Sequence, residues 1–571
     1  MPLGLFLVLL VAACAPAGPA APPRSTGGAA TASQARKVLA AGIFSAPAGM
    51  QQELTNPQGA SGSVPGLAEL YQLLDADLTY FDQAYTRYPW LVAEVPSVDN
   101  GLWQVFPDGT METTWRLKPG LTWHDGVPLT ASDLAFTLAV YRNKDLGLAP
   151  VRALPFIDAV DTPDDQTVAL HWQQPYISAD ALFSAGVTGM FSSMWLLPQH
   201  LLEAPIQQDP SKFLGLPYWR EEFVGAGPYK MQSWIEGTSV TLAANDSYAL
   251  GRPRIDQIDI HFYTDRNAVI AGLLSGALDV HLGRGLFPED VLQIQSSTQN
   301  VRVQLSGPLG NLLPVYGQSM NPDPPIVANP QFRRALLMAI DRQAMTDSLN
   351  YGLGPVADSW VPPDQPEGKA VDGQLVRYPY DPRAATQQLQ DLGYAKGTDG
   401  SFRDAAGVLL AVQIATHTQN SFHEPATLAV ARYWKDLGLN AEPDVRSAEA
   451  AADLKWRAEY PGFFLVSRGL AIDQPDGYFT QQAIPTAQNN YRGGNTARAG
   501  SAELDALIKR YIATVPVGDR MATLGQIVHT QTEQVMMMPL FFQGPAFVLG
   551  NVRLQNVLAG QVWNAQLWDL G

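Results

Sequence analysis

Trp115-Arg116-Leu117-Lys118-Pro119-Gly120-Leu121-Thr122-Trp123-His124-Asp125-Gly126-Val127-Pro128-Leu129-Thr130-Ala131-Ser132-Asp133-Leu134 is the stretch on which the fold turns. Two turn dipeptides, Pro119-Gly120 and Asp125-Gly126, punctuate it, because glycine supplies backbone angles that other residues avoid and proline pre-sets a turn torsion. Thr130-Ala131-Ser132-Asp133 then has the spacing of a capping box, in which the threonine and the acidic residue after it satisfy each other's free amides. The helix opened there buries Leu134, Leu138 and Tyr141. Strands, tight turns and a capped helix thus follow one another within a short span.

The same reading carries outward along the chain. Val240, Leu242 and Ala244 alternate with neighbours of other character, as do Ile258, Ile260 and Phe262, and a period of two marks strands. Phe332, Ala335, Leu336, Ala339 and Ile340 share one face of a helix opened by Asn329-Pro330, with Arg333, Arg334 and Asp341 toward the other side. Short strands alternate with helices and no repeat of fixed period recurs, so the fold class is mixed α/β.

The 571-residue chain begins differently. Leu3 to Val11 is an apolar run too short for the roughly 20 residues of a membrane-spanning helix, but suited to the core of an export signal. It leads into Leu10-Val11-Ala12-Ala13-Cys14, and Cys14 is the single cysteine. That context resembles a bacterial lipobox, in which the thiol is acylated and the chain is cut just before it, although no Lys or Arg precedes the run. Residues 1–13 are expected to be a signal peptide. Residues 14–35, dominated by Ala, Pro, Gly, Ser and Thr, are expected to be a lipidated tether with too little apolar bulk to order itself. With no second cysteine, no intramolecular disulfide forms. The chain carries 37 basic and 54 acidic side chains, a net charge of -17, which argues against nucleic acid as partner and accords with ordinary solubility. A body of this size implies two or three domains.

Further segments follow the Trp115 stretch in order: Gly225-Ala226-Gly227-Pro228-Tyr229, Asn245 with Tyr248, Gly251 with Pro253, and Ser275-Gly276-Ala277-Leu278-Asp279. Then come Phe332-Arg333-Arg334-Ala335-Leu336 with Ala339-Ile340-Asp341-Arg342, Tyr380-Asp381-Pro382 with Leu392-Gly393-Tyr394, and a closing Met538-Pro539-Leu540. From about Val38 to the C-terminus the chain resembles the family 5 extracellular solute-binding proteins, the peptide, nickel and oligosaccharide receptors of ABC importers. The resemblance implies a two-lobed, periplasmic-binding-protein-like α/β fold of the type II, cluster C kind with an extra subdomain inserted in the first lobe. Lobe one would comprise 36–78, 218–302 and 535–571, the insertion 79–217, and lobe two 303–534. It implies capture of a small ligand by hinge closure between the lobes, with no bond made or broken and no cofactor. The ligand would be a peptide or, better suited to the residues below, an oxygen-rich molecule such as an oligosaccharide. The partners implied are a permease and an ATPase on other chains. The receptor itself would be a monomer outside the cytoplasm, at the outer face of the cell membrane or in the periplasm, held to the membrane through Cys14.

In peptide-binding members, as the resemblance implies, an acidic residue four places before a proline in lobe two pairs with the peptide's amino group, and a Trp stands three places earlier. Here the proline is Pro475, and counting back gives Ala471 and Arg468. Alanine forms no ion pair, and an unpaired ammonium in a closed cleft carries a large desolvation penalty. Asp473 takes the acidic role only if the loop is shifted. Arg468 suits a carboxylate, phosphate or hydroxyl-rich ligand, because its fork of donors binds two oxygens at once. The other candidate ligand contacts are Gln52, in the loop after the first strand, Trp360, after Gly352-Leu353-Gly354-Pro355, and Tyr491 and Asn495, in a polar loop of lobe two.

The sequence has no Gly-x-Ser-x-Gly elbow, P-loop, His-Glu-x-x-His or Cys-x-x-Cys, so no catalytic residue is assigned. His124-Asp125 is not a catalytic pair on this reading, since neighbours in a strand face opposite ways. His417, His423 and Glu424 are the one cluster of metal-ligating types; a metal would require the loop between them to fold back, and a solvated loop is expected instead, so no metal site is assigned. Two readings of other classes stay open: a surface receptor that signals to a membrane partner, and a lipid-anchored glycan hydrolase using Asp473 and Asp476. Two acids in one loop give no evidence of the separation that glycoside hydrolysis needs.

Overall fold

The strands expected around Val240 and Ile258 are central to the largest sheet of the computed structural model, which describes residues 36–55, 64–82, 86–149, 151–185, 194–306, 311–469, 471–544, 546–558 and 562–571. Ser239–Ala244 and Gln257–Phe262 pair antiparallel, Val240 opposite Ile260 and Leu242 opposite Ile258. All four side chains are fully buried. The sheet has seven strands in the order Val301–Ser306, Ala546–Asn551, Val280–Leu282, Val38–Ile43, Gln257–Phe262, Ser239–Ala244, Tyr229–Ile235. Val38–Ile43 runs parallel to both neighbours, with Leu39, Ala41 and Ile43 on its buried face.

A second sheet has five strands, in the order Asn440–Arg446, Ala411–His417, Phe463–Leu465, Leu312–Gly317, Met538–Phe542. The first three are mutually parallel and the last two pair antiparallel. The chain leaves the first sheet at Ser306 and enters the second at Leu312, then returns between Phe542 and Ala546. These crossovers differ from the expected boundaries at 302/303 and 534/535. Met538–Phe542, expected in lobe one, is an edge strand of the second sheet, since its five buried residues cover Leu312–Gly317.

The helix Pro330–Met338 is capped by Asn329, whose side chain accepts from Gln331 N at 2.8 Å. Phe332, Ala335 and Leu336 are buried as the spacing predicts, and Ala339 and Ile340 remain buried just past its end. Arg333 departs from the outward placement expected of it. It is 4% exposed and donates to the carbonyls of Val535, Val327 and Gln534 at 2.8, 3.0 and 2.9 Å. A guanidinium carries five donors, and here they satisfy Gln534 O and Val535 O just past the helix Val517–Glu533 together with Val327 O of the turn Pro325–Ala328.

The insertion is built on an antiparallel sheet of Trp103–Val105, Met111–Arg116, Thr167–Trp172 and Ile157–Asp164. The helix Ala131–Arg142 packs against it, with Leu134 and Leu138 in the same core as Trp115 and Trp123. Thr130 N donates to Asp133 Oδ2 at 2.9 Å, the acidic half of the expected capping box, and Asp133 Oδ1 also accepts from Gln199 N at 3.0 Å. His124 lies in a turn, not in a strand, and its ring bridges two glycines: Nδ1 accepts from Gly225 N and Nε2 donates to Gly227 O, each at 3.2 Å. Burial pushes its pKa down to about 3, so the ring is neutral. Asp125 turns the other way, to His200 at 2.7 Å. Asp75 completes the joint by accepting from Ala226 N at 2.8 Å. A Cβ on Gly225 would stand 2.2 Å from Leu74 O, and one on Gly227 2.5 Å from Asp75 N, so close approach of backbone explains both glycines. The Trp115–Leu134 stretch thus welds the insertion to lobe one.

Candidate functional site

In the five-stranded sheet the parallel strands Ala411–His417 and Phe463–Leu465 end side by side, and ligands of open α/β sheets bind beyond such carboxyl ends. His417 closes one strand; Ser467 and Arg468 follow the other. Arg468 exchanges two backbone hydrogen bonds with Leu312, at 2.8 and 2.9 Å, which fixes it beside one crossover. The other crossover is tied in as well, because Gln543 donates through N to Asn311 O and through Nε2 to Ser467 Oγ, both at 2.9 Å. Arg468 Nη2 donates to Thr496 Oγ1 at 2.6 Å, while its Nε is buried with no partner.

Two more guanidiniums lie nearby. Arg457 donates to Ala451 O at 2.9 Å, and Arg498 donates to Ala458 O at 3.3 Å and keeps its buried Nε unpartnered. None of the three arginines forms an ion pair among the described residues. His417 is 1% exposed and neither ring nitrogen has a partner. The His423 ring stands 5.0 Å away; its Nε2 accepts from Ser467 N at 2.9 Å, so the proton is on Nδ1, which donates to His417 O at 3.0 Å. Burial pushes both imidazoles down to about 4, with the charges of Arg457 and Arg468 acting the same way, and both are neutral at pH 7. Burial, then the charge of Arg468, lowers Arg457 to about 10. The strand ends therefore hold guanidiniums that form no ion pair among the described residues. Removing guanidiniums from water without a partner is unfavourable, and an oxyanion accepting two donors in parallel would offset it.

Asp473 faces the same region. Its Oδ2 accepts from Ser178 Oγ of the insertion at 2.6 Å, and its Oδ1 is shut off from solvent with no partner. Burial raises the carboxyl to about 6, against the lowering effects of Ser178, Arg87 and Arg152. Tyr478 feels the charges of both Arg468 and Asp473, so one ring lies within electrostatic reach of the two.

The remaining sequence candidates sit as follows. Trp360 is 2% exposed, donates Nε1 to Gln531 Oε1 at 2.6 Å and packs on Phe479 with ring centroids 5.1 Å apart, which makes it part of the lobe-two core in this conformation. Gln52 Oε1 accepts from Ala48 N at 2.8 Å and closes the turn before its own short helix; the adjacent Gln51 carries the buried, unpartnered oxygen. Asn495 is 2% exposed and donates to Thr480 O and Ala499 O at 3.0 and 2.6 Å, so it shapes the loop that presents Thr496 to Arg468. Tyr491 has a left-handed backbone, φ 57°, and donates to Glu459 Oε1 at 3.2 Å at the loop's rim. Ala471 is buried and offers no polar group. The loop between His417 and His423 is largely exposed, as expected, while the two rings that flank it are buried. Glu424 is exposed, and no group of three metal-ligating side chains forms among the described residues. Arg457 and Thr496 gave no sequence signal. Cys14 lies outside the described residues.

Residues 89–490 match the model of the bacterial extracellular solute-binding proteins, family 5 Middle. The chain belongs to this family. Its two large sheets are the two lobes of the family's fold. A Brucella ovis protein, named as a candidate ABC transporter peptide-binding protein, is 27% identical over 368 residues, covering 64% of this chain and 63% of that one. The chain thus spans less than two thirds of the length of that curated relative. Heme-binding protein A of Haemophilus influenzae is 24% identical over 453 residues, 75% of this chain and 76% of the other. Among solved structures, NikZ from Campylobacter jejuni in complex with Ni(L-His) superposes with a TM-score of 0.69 at 19% identity, over 93% of this chain and 99% of that one.

The titrating groups give this family member a signed pH response. As pH falls through about 6 the Asp473 carboxylate is neutralised, and nearer 4 the two imidazoles become cationic. Each step makes the site more positive. An anion bound there would raise all three pKa values, so its binding would take up protons and tighten as pH falls from 7.5 to 5, by at most about tenfold per pH unit for each linked proton. Titration calorimetry in buffers of different ionisation enthalpy checks this; proton release on binding would contradict it.

Proposed function

We propose that the protein is the ligand-capturing component of an ABC importer, working outside the cytoplasm, and that its ligand is a small anion gripped through a carboxylate or phosphate by Arg468 with Arg457 beside it. One observation carries the ligand class: the Nε groups of Arg468 and Arg498 are buried and unpartnered, and no carboxylate is paired to either arginine among the described residues. The ligands named for similar proteins, a peptide, heme and Ni(L-His), all bear carboxylates. A neutral oligosaccharide would leave the arginines without counter-charge, so the oxygen-rich ligand expected from sequence narrows to an anionic one. With Ala471 in the acidic partner's place, a peptide would be held by its carboxyl end. Calorimetry with short peptides tests this: blocking the amino end by acetylation should be tolerated, and blocking the carboxyl end as an amide should abolish binding. Binding lost on acetylation alone would overturn the reading and make Asp473 the amino-group partner.

Anchoring belongs to the same proposal. Acyl chains on one cysteine contribute about 0.8 kcal/mol per buried CH₂, and two or three together make attachment persistent. Cys14→Ser should move the protein to the soluble fraction or leave an uncut precursor, and lipid labelling that survives the substitution would exclude Cys14 as the anchor.

A further inference from the structure

The insertion reaches across to lobe two at several points that ligand binding alone does not explain. Ser178 Oγ donates to Asp473 Oδ2 at 2.6 Å, and Arg152 Nη1 donates to Asp476 Oδ1 at 2.7 Å. Between them Ile177 N donates to Ile512 O at 3.2 Å. The apolar groups interlock too: Ile177 is buried in a lobe-two cluster with Tyr511, while Val515 of lobe two is buried in the insertion's own cluster. Arg152 lies so close over Gly477 that a Cβ there would stand 2.7 Å from its Nη2. Arg87, paired with Asp180 at 3.0 Å, adds a second positive charge on the insertion side that lowers the pKa of Asp473. All of this falls on residues 471–479 and the helix ends behind them, the segment that begins just after Arg468.

From these contacts we infer that Arg152 and Ser178 are positioning residues for ligand capture: they hold the Asp473 loop in its binding geometry only while the insertion is seated on lobe two, which makes the insertion a closing jaw. The inference rests on the reading of this cleft as a hinge-closing anion site. Its physical basis is that Asp473 is a buried carboxylate whose Oδ2 is satisfied from another subdomain. Without Ser178 that oxygen must find another donor, and the loop is free to swing toward the unmatched Arg468, where its charge would compete with an incoming anion. Arg152 restrains the same loop through Asp476, so the two residues act together.

The test needs no ligand, so failure of the anion reading and failure of this one are distinguishable. In the full chain carrying Cys14→Ser, Val105→Cys on the insertion and Val408→Cys on lobe two, 46% and 62% exposed, receive spin labels for distance measurement. The parent protein should show a short-distance population, and Ser178→Ala with Arg152→Ala should shift it to longer distances. Ser178→Thr should retain the short distance, and the swap Arg152→Asp with Asp476→Arg should restore it, as damage to the fold would not. An unchanged distribution in the double alanine variant, or a loss that neither rescue reverses, overturns the inference.

Discussion

Arg468→Ala is expected to weaken ligand binding by about two to four decades. The backbone of Arg468 is fixed by two hydrogen bonds to Leu312, and its guanidinium by the Nη2 bond to Thr496 Oγ1 at 2.6 Å. Its Nε is buried and unpartnered, and on the proposed reading it is a donor to the ligand. Truncating one member of a buried, hydrogen-bonded charge pair costs about 3 to 5 kcal/mol, because the other charge is left desolvated. At 1.4 kcal/mol per decade that is roughly two to four decades in Kd. Arg468→Lys should recover part of the loss, since an ammonium keeps the charge without the planar fork. Calorimetry with the anion that the parent protein retains provides the measurement; a change below about threefold would remove Arg468 from the site.

The second large effect is on stability. Trp434 is fully buried, packs on Phe463 with ring centroids 4.8 Å apart and donates Nε1 to Leu336 O at 3.2 Å. Phe463 begins the strand that delivers Ser467 and Arg468, so this indole supports the site as well as the core. Trp434→Ala should destabilise lobe two by about 3 to 5 kcal/mol, the range for deleting a buried aromatic side chain. For a unit of this size 1 kcal/mol shifts the midpoint by about 2 to 4 °C, so a fall on the order of 10 °C is expected. Two lobes need not melt as one, and scanning calorimetry should resolve an early lobe-two transition. A thermogram unchanged from the parent's would contradict the packing described here.

What was legible from sequence and what was not divide along physical lines. Period-two strands at Val240 and Ile258 and the helix Pro330–Met338 were readable because burial imposes a local rhythm on the chain. The Trp115–Leu134 stretch was readable because turns and caps demand particular residues. Arg333 was misplaced outward because a helical wheel records spacing but not the three carbonyls that await a guanidinium from another element. His124 was read as non-catalytic, but the bridge its ring makes was not seen, because its partners, Gly225 and Gly227, are remote in sequence. At the site, Arg468 and Asp473 were found by counting from Pro475, and Ala471 was seen as a missing charge. Arg457, Thr496 and the inward turn of His417 were not seen, since each is defined by where distant strands end. Trp360 and Asn495 lay in loops whose composition reads as exposed, yet packing with Phe479 and hydrogen bonds to Thr480 and Ala499 draw both inside.

Native mass spectrometry of the gently purified protein, beside Arg468→Ala prepared the same way, tests the central claim most directly. The parent protein should carry one small acidic molecule, released chemically unchanged, and the variant should carry none. A neutral molecule on the parent protein, or equal retention by the variant, would contradict the account.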